Sequence, residues 1–258
     1  MLFATTRFAR SLSLWTLGLL ALLLPACGGG GGEGTPDPTL MTLHIGSYDE
    51  GRAMFIKDEE FVVENGPGDV DPDRWAMTYN GAHGLFFMRK AESGPPMVYR
   101  YYPLTERRFS FTGVMYPIIG AGTDVDLGSM ATLYADGRWR LYFRSKSRPQ
   151  DVHQFLLHID TRRFEYLSTI SSLNTPSDTD YDRWAMHHDG TTYRQMFFKE
   201  GSSTTIYQAG YSSVLNTYLY GWASAPTVIL LGFAPLSASD RFASFHDGSR
   251  ARIAFASR

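Results

Sequence analysis

One five-residue phrase occurs twice in the chain, and a weaker copy lies near its C-terminus. The two full copies, Asp-Arg-Trp-Ala-Met, begin at Asp73 and Asp182, and the weaker copy begins at Asp240. Each is followed by an Asn-Gly or Asp-Gly pair, and a fourth pair follows a degenerate copy. The pairs are Asn80-Gly81, Asp136-Gly137, Asp189-Gly190 and Asp247-Gly248. A repeat of this kind indicates a stacked or circular array of one supersecondary unit.

Each repeat consists of four short extended segments separated by turns. In the third repeat the segments are 184–188, 193–199, 204–211 and 217–223. Short strands separated by Gly, Asn, Asp and Ser predict an antiparallel meander. The Asx-Gly pairs suit hairpin turns because Gly adopts positive φ freely and Asn or Asp tolerates it. We therefore predict an all-β fold.

The last copy stops after two strands, and the segment that begins near residue 39 supplies two more. Leu43-His44-Ile45 resembles Leu157-His158-Ile159 in the second repeat. β-Propellers close their ring by building one blade from both termini. We therefore predict a four-bladed β-propeller over residues 39–258, with one blade closed by N- and C-terminal strands. Its inner strands should lie near 75–79, 131–135, 184–188 and 242–246. A β-sandwich is the alternative, but it would not explain the split repeat.

The repeats also resemble those of hemopexin-type domains. In the third repeat the resemblance rests on Asp182, Asp189-Gly190 and the aromatic second strand around Phe197-Phe198. It covers the first half of each repeat, and it implies a propeller with ions in its central channel. Hemopexin domains join their first and last blades by a disulfide, whereas this chain has one cysteine. The resemblance therefore extends to the architecture and not to haem binding.

Residues 1–27 have the pattern of a bacterial lipoprotein signal peptide. Arg7 and Arg10 precede an apolar run, 12–24, that is too short to span a bilayer. The run ends in Leu24-Pro25-Ala26-Cys27, which resembles a lipobox, whose cysteine is lipidated. Cys27 has no possible disulfide partner within the chain. Ordinary signal cleavage with an incidental cysteine is the alternative.

The Gly/Pro-rich segment 28–38 predicts a flexible tether between this lipid anchor and the folded domain. Gly28 follows the cysteine, which in the lipoproteins that the chain resembles favours the outer membrane of a Gram-negative bacterium. The 24 Lys and Arg are outnumbered by 26 Asp and Glu, so the composition does not indicate nucleic-acid binding. We expect the membrane to be a partner through acyl chains on Cys27.

Acidic residues cluster in the turns before the predicted inner strands. Since inner strands converge on the axis of a propeller, these carboxylates should meet and could hold a hard cation, Ca²⁺ or Mg²⁺. The predicted metal ligands are Asp73, Asp126, Asp182 and Asp240, and Asp71 and Asp180 are predicted binding residues. The alternative is structural, because such residues also cap turns and pair with the arginines that follow them.

The remaining candidates are aromatic residues and histidines. Trp75, Trp184 and Phe242 share one repeat position and are predicted to pack between blades. Trp139 and Trp222 are predicted to contribute to a sugar-binding surface. His187, His188 and His246 precede Asp-Gly turns, and we interpret them as structural.

The sequence contains no recognisable catalytic motif. The favoured function is therefore a non-catalytic binding module of the cell envelope, for a protein or glycan partner. The alternative is a polysaccharide hydrolase or lyase that uses Asp71, Asp126 and Asp180 as acid and base. A cation-stabilised scaffold without a specific ligand is a third possibility.

Overall fold

The computed structural model describes residues 39–64, 66–105, 107–220, 229–231, 233 and 241–257. This part of the protein is all-β, with seventeen strands and one 3₁₀ turn at Ala91–Ser93. None of its helices is long and apolar enough to cross a membrane. The predicted signal peptide, Cys27 and the tether lie outside the described residues.

Sixteen of the strands form four antiparallel groups of four. Group 1 contains β3 (Val70–Tyr79), β4 (His83–Arg89), β5 (Met97–Thr105) and β6 (Arg108–Ile119). Group 2 contains β7 (Val125–Ala135), β8 (Arg138–Ser145), β9 (Val152–His158) and β10 (Arg163–Leu173). Group 3 contains β11 (Thr179–His188), β12 (Tyr193–Lys199), β13 (Ile206–Ser212) and β14 (Thr217–Tyr220).

Group 4 joins the two ends of the described chain. It contains β16 (Phe242–His246), β17 (Ala251–Ser257), β1 (Thr39–Asp49) and β2 (Met54–Glu64). β17 pairs with β1 from Thr42–Ser257 to Ser47–Arg252. This pairing of the two ends is the one predicted from the split repeat. The remaining strand, β15 (Ile229–Leu231), pairs in parallel with the start of β2.

The first strand of each group, which we call its inner strand, contacts the inner strands of the neighbouring groups. The contacts follow the order β3, β7, β11, β16 and back to β3. Ala76, Ala131, Ala185 and Ala243 line the narrow space between the four strands. We call them the axial alanines. They lie within the segments predicted as inner strands.

The last strands of the groups contact one another through short parallel ladders. These ladders join β2 to β6, β6 to β10, β10 to β14 and β15 to β2. All seventeen strands thus belong to one connected set of ladders.

A bulge interrupts β3, β7 and β11 at the same point. The register shifts between Val70 and Trp75, between Asp126 and Ala131, and between Asp180 and Trp184. A bulge bends its strand and changes the direction of nearby side chains. Most of the repeated acidic residues therefore lie where the backbone leaves the ladder.

The aromatic residues of the repeated phrase are buried, as predicted. Trp75, Trp184 and Phe242 are each less than 5% exposed. The Trp184 ring stacks on Phe197 at 5.9 Å, and its Nε1 donates to the Ser129 carbonyl of group 2 at 2.8 Å. Burying a large apolar side chain contributes about 1.5–3 kcal/mol. Trp184 thus packs group 3 against group 2.

Candidate functional site

The first aspartate of each acidic turn connects the turn to the third strand of its own group. Asp69, Asp124 and Asp178 have this role. The bonds run from Tyr99 Oη to Asp69 (2.7 Å), between His153 Nε2 and Asp124 (3.2 Å), and from Tyr207 Oη to Asp178 (3.0 Å). These contacts fix where each inner strand begins.

The second aspartate of each turn accepts a backbone N–H of the bulge. Asp71, Asp126 and Asp180 accept from Asp73, Gly128 and Asp182, each at 3.0 Å. Arg74 also pairs with Asp71 at 3.0 Å, and Arg183 with Asp180 at 2.7 Å. These are the contacts expected from the structural alternative.

Arginines lie among the carboxylates at this end of the molecule, which we call the acidic end. Arg144 of group 2 is buried and donates to Asp182 of group 3 at 3.2 Å. Burial lowers the pKa of Arg241, and the carboxylates of Asp126, Asp71 and Asp182 oppose that effect. The guanidinium of Arg241, the residue just before β16, therefore interacts electrostatically with acids from groups 1, 2 and 3.

The structure brings three of the four predicted metal ligands to the acidic end. Asp73 and Asp182 are exposed, Asp126 is partly buried, and Asp240 lies outside the described residues. Within the described ranges, no three His, Cys, Asp or Glu side chains are grouped so that they could hold a metal ion. The divalent cation stays a prediction.

A cleft of about 520 Å³ lies at the opposite end of the inner strands, between groups 3 and 4. Tyr48, Phe55, Met196 and Ala251 form its apolar wall. Its polar lining includes His187, Asp189, Arg194, Ser244, His246 and Arg250. This size and this combination of apolar and polar surface are typical of ligand pockets.

His187 is the most deeply buried ionisable group of the cleft wall. His187 is only 4% exposed, and its Nδ1 lies 3.2 Å from Ser244 Oγ of group 4. Burial lowers the pKa of His187 to about 3. The imidazole is therefore neutral at physiological pH and offers hydrogen bonds without adding charge.

Asp189 and Arg194 form an ion pair on the group 3 side of the cleft. Asp189 Oδ2 accepts from Arg194 Nε at 2.8 Å, and its Oδ1 accepts the backbone N–H groups of Thr191 and Thr192. Burial would raise the pKa of Asp189, but these hydrogen bonds outweigh it and lower the pKa. The carboxylate remains ionised.

A position at the start of each second strand explains why this cleft is open. The residue three places after each axial alanine pairs with a residue near the start of the second strand. We call this second-strand residue the plug position. The four pairs are Tyr79–His83, Tyr134–Trp139, His188–Tyr193 and His246–Ala251. Three plug positions thus carry a ring, and the fourth carries a methyl group.

The three rings fill the junctions between the other groups. His83 lies 5.4 Å from Phe245 of group 4, and Trp139 lies 5.3 Å from Phe86 of group 1. The ring of Tyr193 lies 5.2 Å from the guanidinium of Arg140 of group 2. Ala251 cannot fill the remaining junction, and the cleft occupies it.

Trp139, a predicted sugar-binding residue, is buried at its junction. A Cβ on Gly84 would lie 2.5 Å from the indole, and the Arg100 guanidinium lies 4.6 Å from the ring centre. The indole therefore packs between groups 1 and 2 rather than facing solvent. Trp222, the other predicted sugar-binding residue, lies outside the described residues.

The sequence analysis missed the plug position because the hairpin turns differ in length. The turn after β7 has two residues, Asp136 and Gly137, whereas the turn after β11 has four, 189–192. An alignment on the Asx-Gly pairs therefore puts the second strands out of register. Counting eight residues from the axial alanine would have aligned Trp139, Tyr193 and Ala251, whereas His83 lies seven residues after Ala76.

Comparison with known proteins adds no assignment to these observations. The chain matches no protein-family model and no curated protein.

Proposed function

We propose that the chain is a non-catalytic binding protein of the cell envelope. Its folded part is a four-bladed β-propeller whose blades are the four groups, held at a membrane by lipid on Cys27 and the tether 28–38. A protein or glycan partner binds in the cleft between groups 3 and 4. The observation that carries this proposal is the cleft itself, about 520 Å³ in volume and left open by Ala251.

The contacts between groups support the propeller. The inner strands contact one another in cyclic order, and parallel ladders join the last strands β2, β6, β10 and β14 in that order. One group is built from both ends of the chain. These three features fit a propeller, in which radial repetition leaves only short, protected edges.

The direction of β1 puts the start of the described chain and the cleft at opposite ends of the inner strands. β1 pairs antiparallel with β17, and β17 pairs antiparallel with β16, so β1 runs in the direction of the inner strands. Thr39 therefore lies toward the acidic end, while Tyr48 and Glu50 line the cleft at the other end.

The contacts of the acidic turns favour binding over the alternative of a hydrolase or lyase. The carboxylates of Asp71 and Asp180 are each engaged by an arginine and a backbone N–H. A general acid or base needs a carboxyl group free to exchange a proton with substrate. The predicted divalent cation remains a separate proposal, and it would compete with Arg241 for the same carboxylates.

Calorimetry of the full chain against purified outer-membrane polysaccharide, peptidoglycan fragments and outer-membrane proteins tests the proposed function. We expect saturable binding to one of these without turnover. Ala251→Tyr should weaken it at least tenfold by filling the cleft, whereas Ala251→Ser should bind within twofold of the wild type. Turnover of a polysaccharide, or binding that Ala251→Tyr does not change, would contradict the proposal.

A further inference from the structure

The junction between groups 2 and 3 holds a phenol ring that belongs to the protein itself. Tyr193 of group 3 lies under the Arg140 guanidinium, and its hydroxyl donates to the carboxylate of Asp136. Arg140 also pairs with Asp136 at 3.2 Å. Burial, together with the bond to Asp136, raises the pKa of Tyr193 to about 12, so its hydroxyl remains a donor. The site combines a cation over a ring face with an anion at the hydroxyl.

The next junction has the same polar wall. Arg194 and Asp189 form an ion pair in group 3, as Arg140 and Asp136 do in group 2. The neighbouring positions also correspond in register, because Met196 pairs with Gln208 as Tyr142 pairs with Gln154. Both glutamines line the pocket at their junction.

The two junctions differ in the side chains that occupy them. Tyr193 and Tyr142 leave a space of about 70 Å³ between groups 2 and 3. Ala251 and Met196 take the corresponding positions between groups 3 and 4, where the space is about 520 Å³. The polar wall is thus repeated without the phenol that it holds at the preceding junction.

The surroundings of the ion pair match a ring with one polar end. Phe55, Tyr48 and Met196 supply apolar contacts. Asp189 Oδ1 already accepts from Thr191 and Thr192, whereas Oδ2 accepts from Arg194 and retains a second acceptor position. A sugar also donates hydroxyl groups, but it has no π face for a guanidinium. The cleft is larger than one phenol ring, which leaves room for the backbone that would carry it.

We propose that the cleft receives a tyrosine side chain of a partner protein, bound by Arg194 and Asp189 as Arg140 and Asp136 hold Tyr193. This inference rests on the proposed function, in which the cleft is the ligand site. It narrows the partner from protein or glycan to a protein with an accessible tyrosine.

Calorimetry with short probes tests the inference on the full chain. The probes are the blocked tripeptide Gly-Tyr-Gly, its counterpart Gly-Phe-Gly, p-cresol and maltose. We expect Gly-Tyr-Gly to bind at least tenfold more tightly than Gly-Phe-Gly, because only the phenol can donate to Asp189. Ala251→Tyr should abolish this binding, Asp160→Asn, at an exposed position outside the cleft, should retain it, and Arg194→Gln should reduce the preference for tyrosine.

A second variant tests independently whether the Arg140–Asp136 pair recognises a phenol. Tyr193→Ala removes the resident phenol between groups 2 and 3, and we expect p-cresol to raise its melting temperature by several degrees more than that of the wild type. Toluene, which lacks the hydroxyl, should raise it less. An equal effect of p-cresol and toluene would show that Asp136 does not recognise the hydroxyl. It would thereby overturn the inference that Arg194 and Asp189 bind a phenol in the same way.

The other outcomes separate this inference from the proposed function. Maltose binding that Ala251→Tyr abolishes, without binding of Gly-Tyr-Gly, would overturn the tyrosine and leave the cleft as the ligand site. Tighter binding of p-cresol than of Gly-Tyr-Gly would overturn the protein partner in favour of a free phenol. Envelope-component binding that Ala251→Tyr leaves unchanged would overturn both proposals.

Discussion

At the scale of single residues, one repeat position decides whether neighbouring groups pack or leave a cleft. His83, Trp139 and Tyr193 each place a ring at a junction, and Ala251 does not. The cleft is then lined by side chains from both groups, among them Asp189 and Arg194 of group 3 and Arg250 of group 4. A small substitution in a repeat can thus produce a site without changing the backbone.

The burial of His187 predicts that stability falls in mild acid. Its pKa is about 3 in the folded protein, below the ordinary value of 6.5, so the unfolded chain takes up a proton first as the pH falls. The stabilisation is complete above pH 6.5 and is lost toward pH 3, at about 1.4 kcal/mol per pH unit. We expect the urea-unfolding free energy of the wild type to fall between pH 7 and 5 by about 2 kcal/mol more than that of His187→Asn. His188→Asn is the control, and equal slopes for wild type and His187→Asn would contradict the prediction.

The Asp180–Arg183 pair should be important for stability. Arg183 is 2% exposed, and it donates both to Asp180 and to the Ser202 carbonyl at 2.8 Å. Asp180→Asn would leave a buried guanidinium without its counter-ion, at a cost of about 3 kcal/mol. Chemical denaturation measures this loss, with the exposed Asp160→Asn as the matched control. Similar midpoints for the two variants would favour a function other than stability for Asp180.

At the scale of strands, pattern and register were predictable to different degrees. The alternation of short strands and Asx-Gly turns predicted the inner strands, because glycine at positive φ marks where each hairpin reverses. The bulges in β3, β7 and β11 were not predictable, since the pattern of side chains continues through them. The acidic residues were therefore recognised as a cluster, but their bonds to bulge N–H groups and to arginines appear only in the structure.

The pairing of β17 with β1 predicts that the C-terminal hairpin is essential. Deleting residues 240–258 would remove the partner of β1 over six positions, together with the buried side chains of Phe242, Phe245 and Phe255. We expect the truncated protein to be insoluble or unfolded by circular dichroism. A circular permutant that links residue 257 to residue 39 and opens the chain at Gly94 should fold, because it keeps every ladder. A stable, soluble truncation would contradict the role of the split group.

At the scale of the whole molecule, the two ends of the inner strands have different roles. The acidic end unites the groups through carboxylates and arginines, whereas the opposite end contains the one wide junction among the plug positions. Charge balance at the acidic end involves Arg241 of group 4 and acids of groups 1 to 3. The sequence predicted a divalent cation at this end, and in the described residues the positive charge there comes from arginine guanidinium groups.

Arg241 and a divalent cation can be separated by thermal melts of the full chain. If the guanidinium balances Asp71, Asp126 and Asp182, Arg241→Met should melt several degrees lower at low salt because carboxylates then repel one another. Calcium should restore part of this loss, because the freed carboxylates are oxygen ligands and binding to the native state stabilises it. The wild type should melt at the same temperature with calcium and with chelator. A wild-type shift of several degrees on chelation would instead mean that a metal ion and Arg241 share the acidic end.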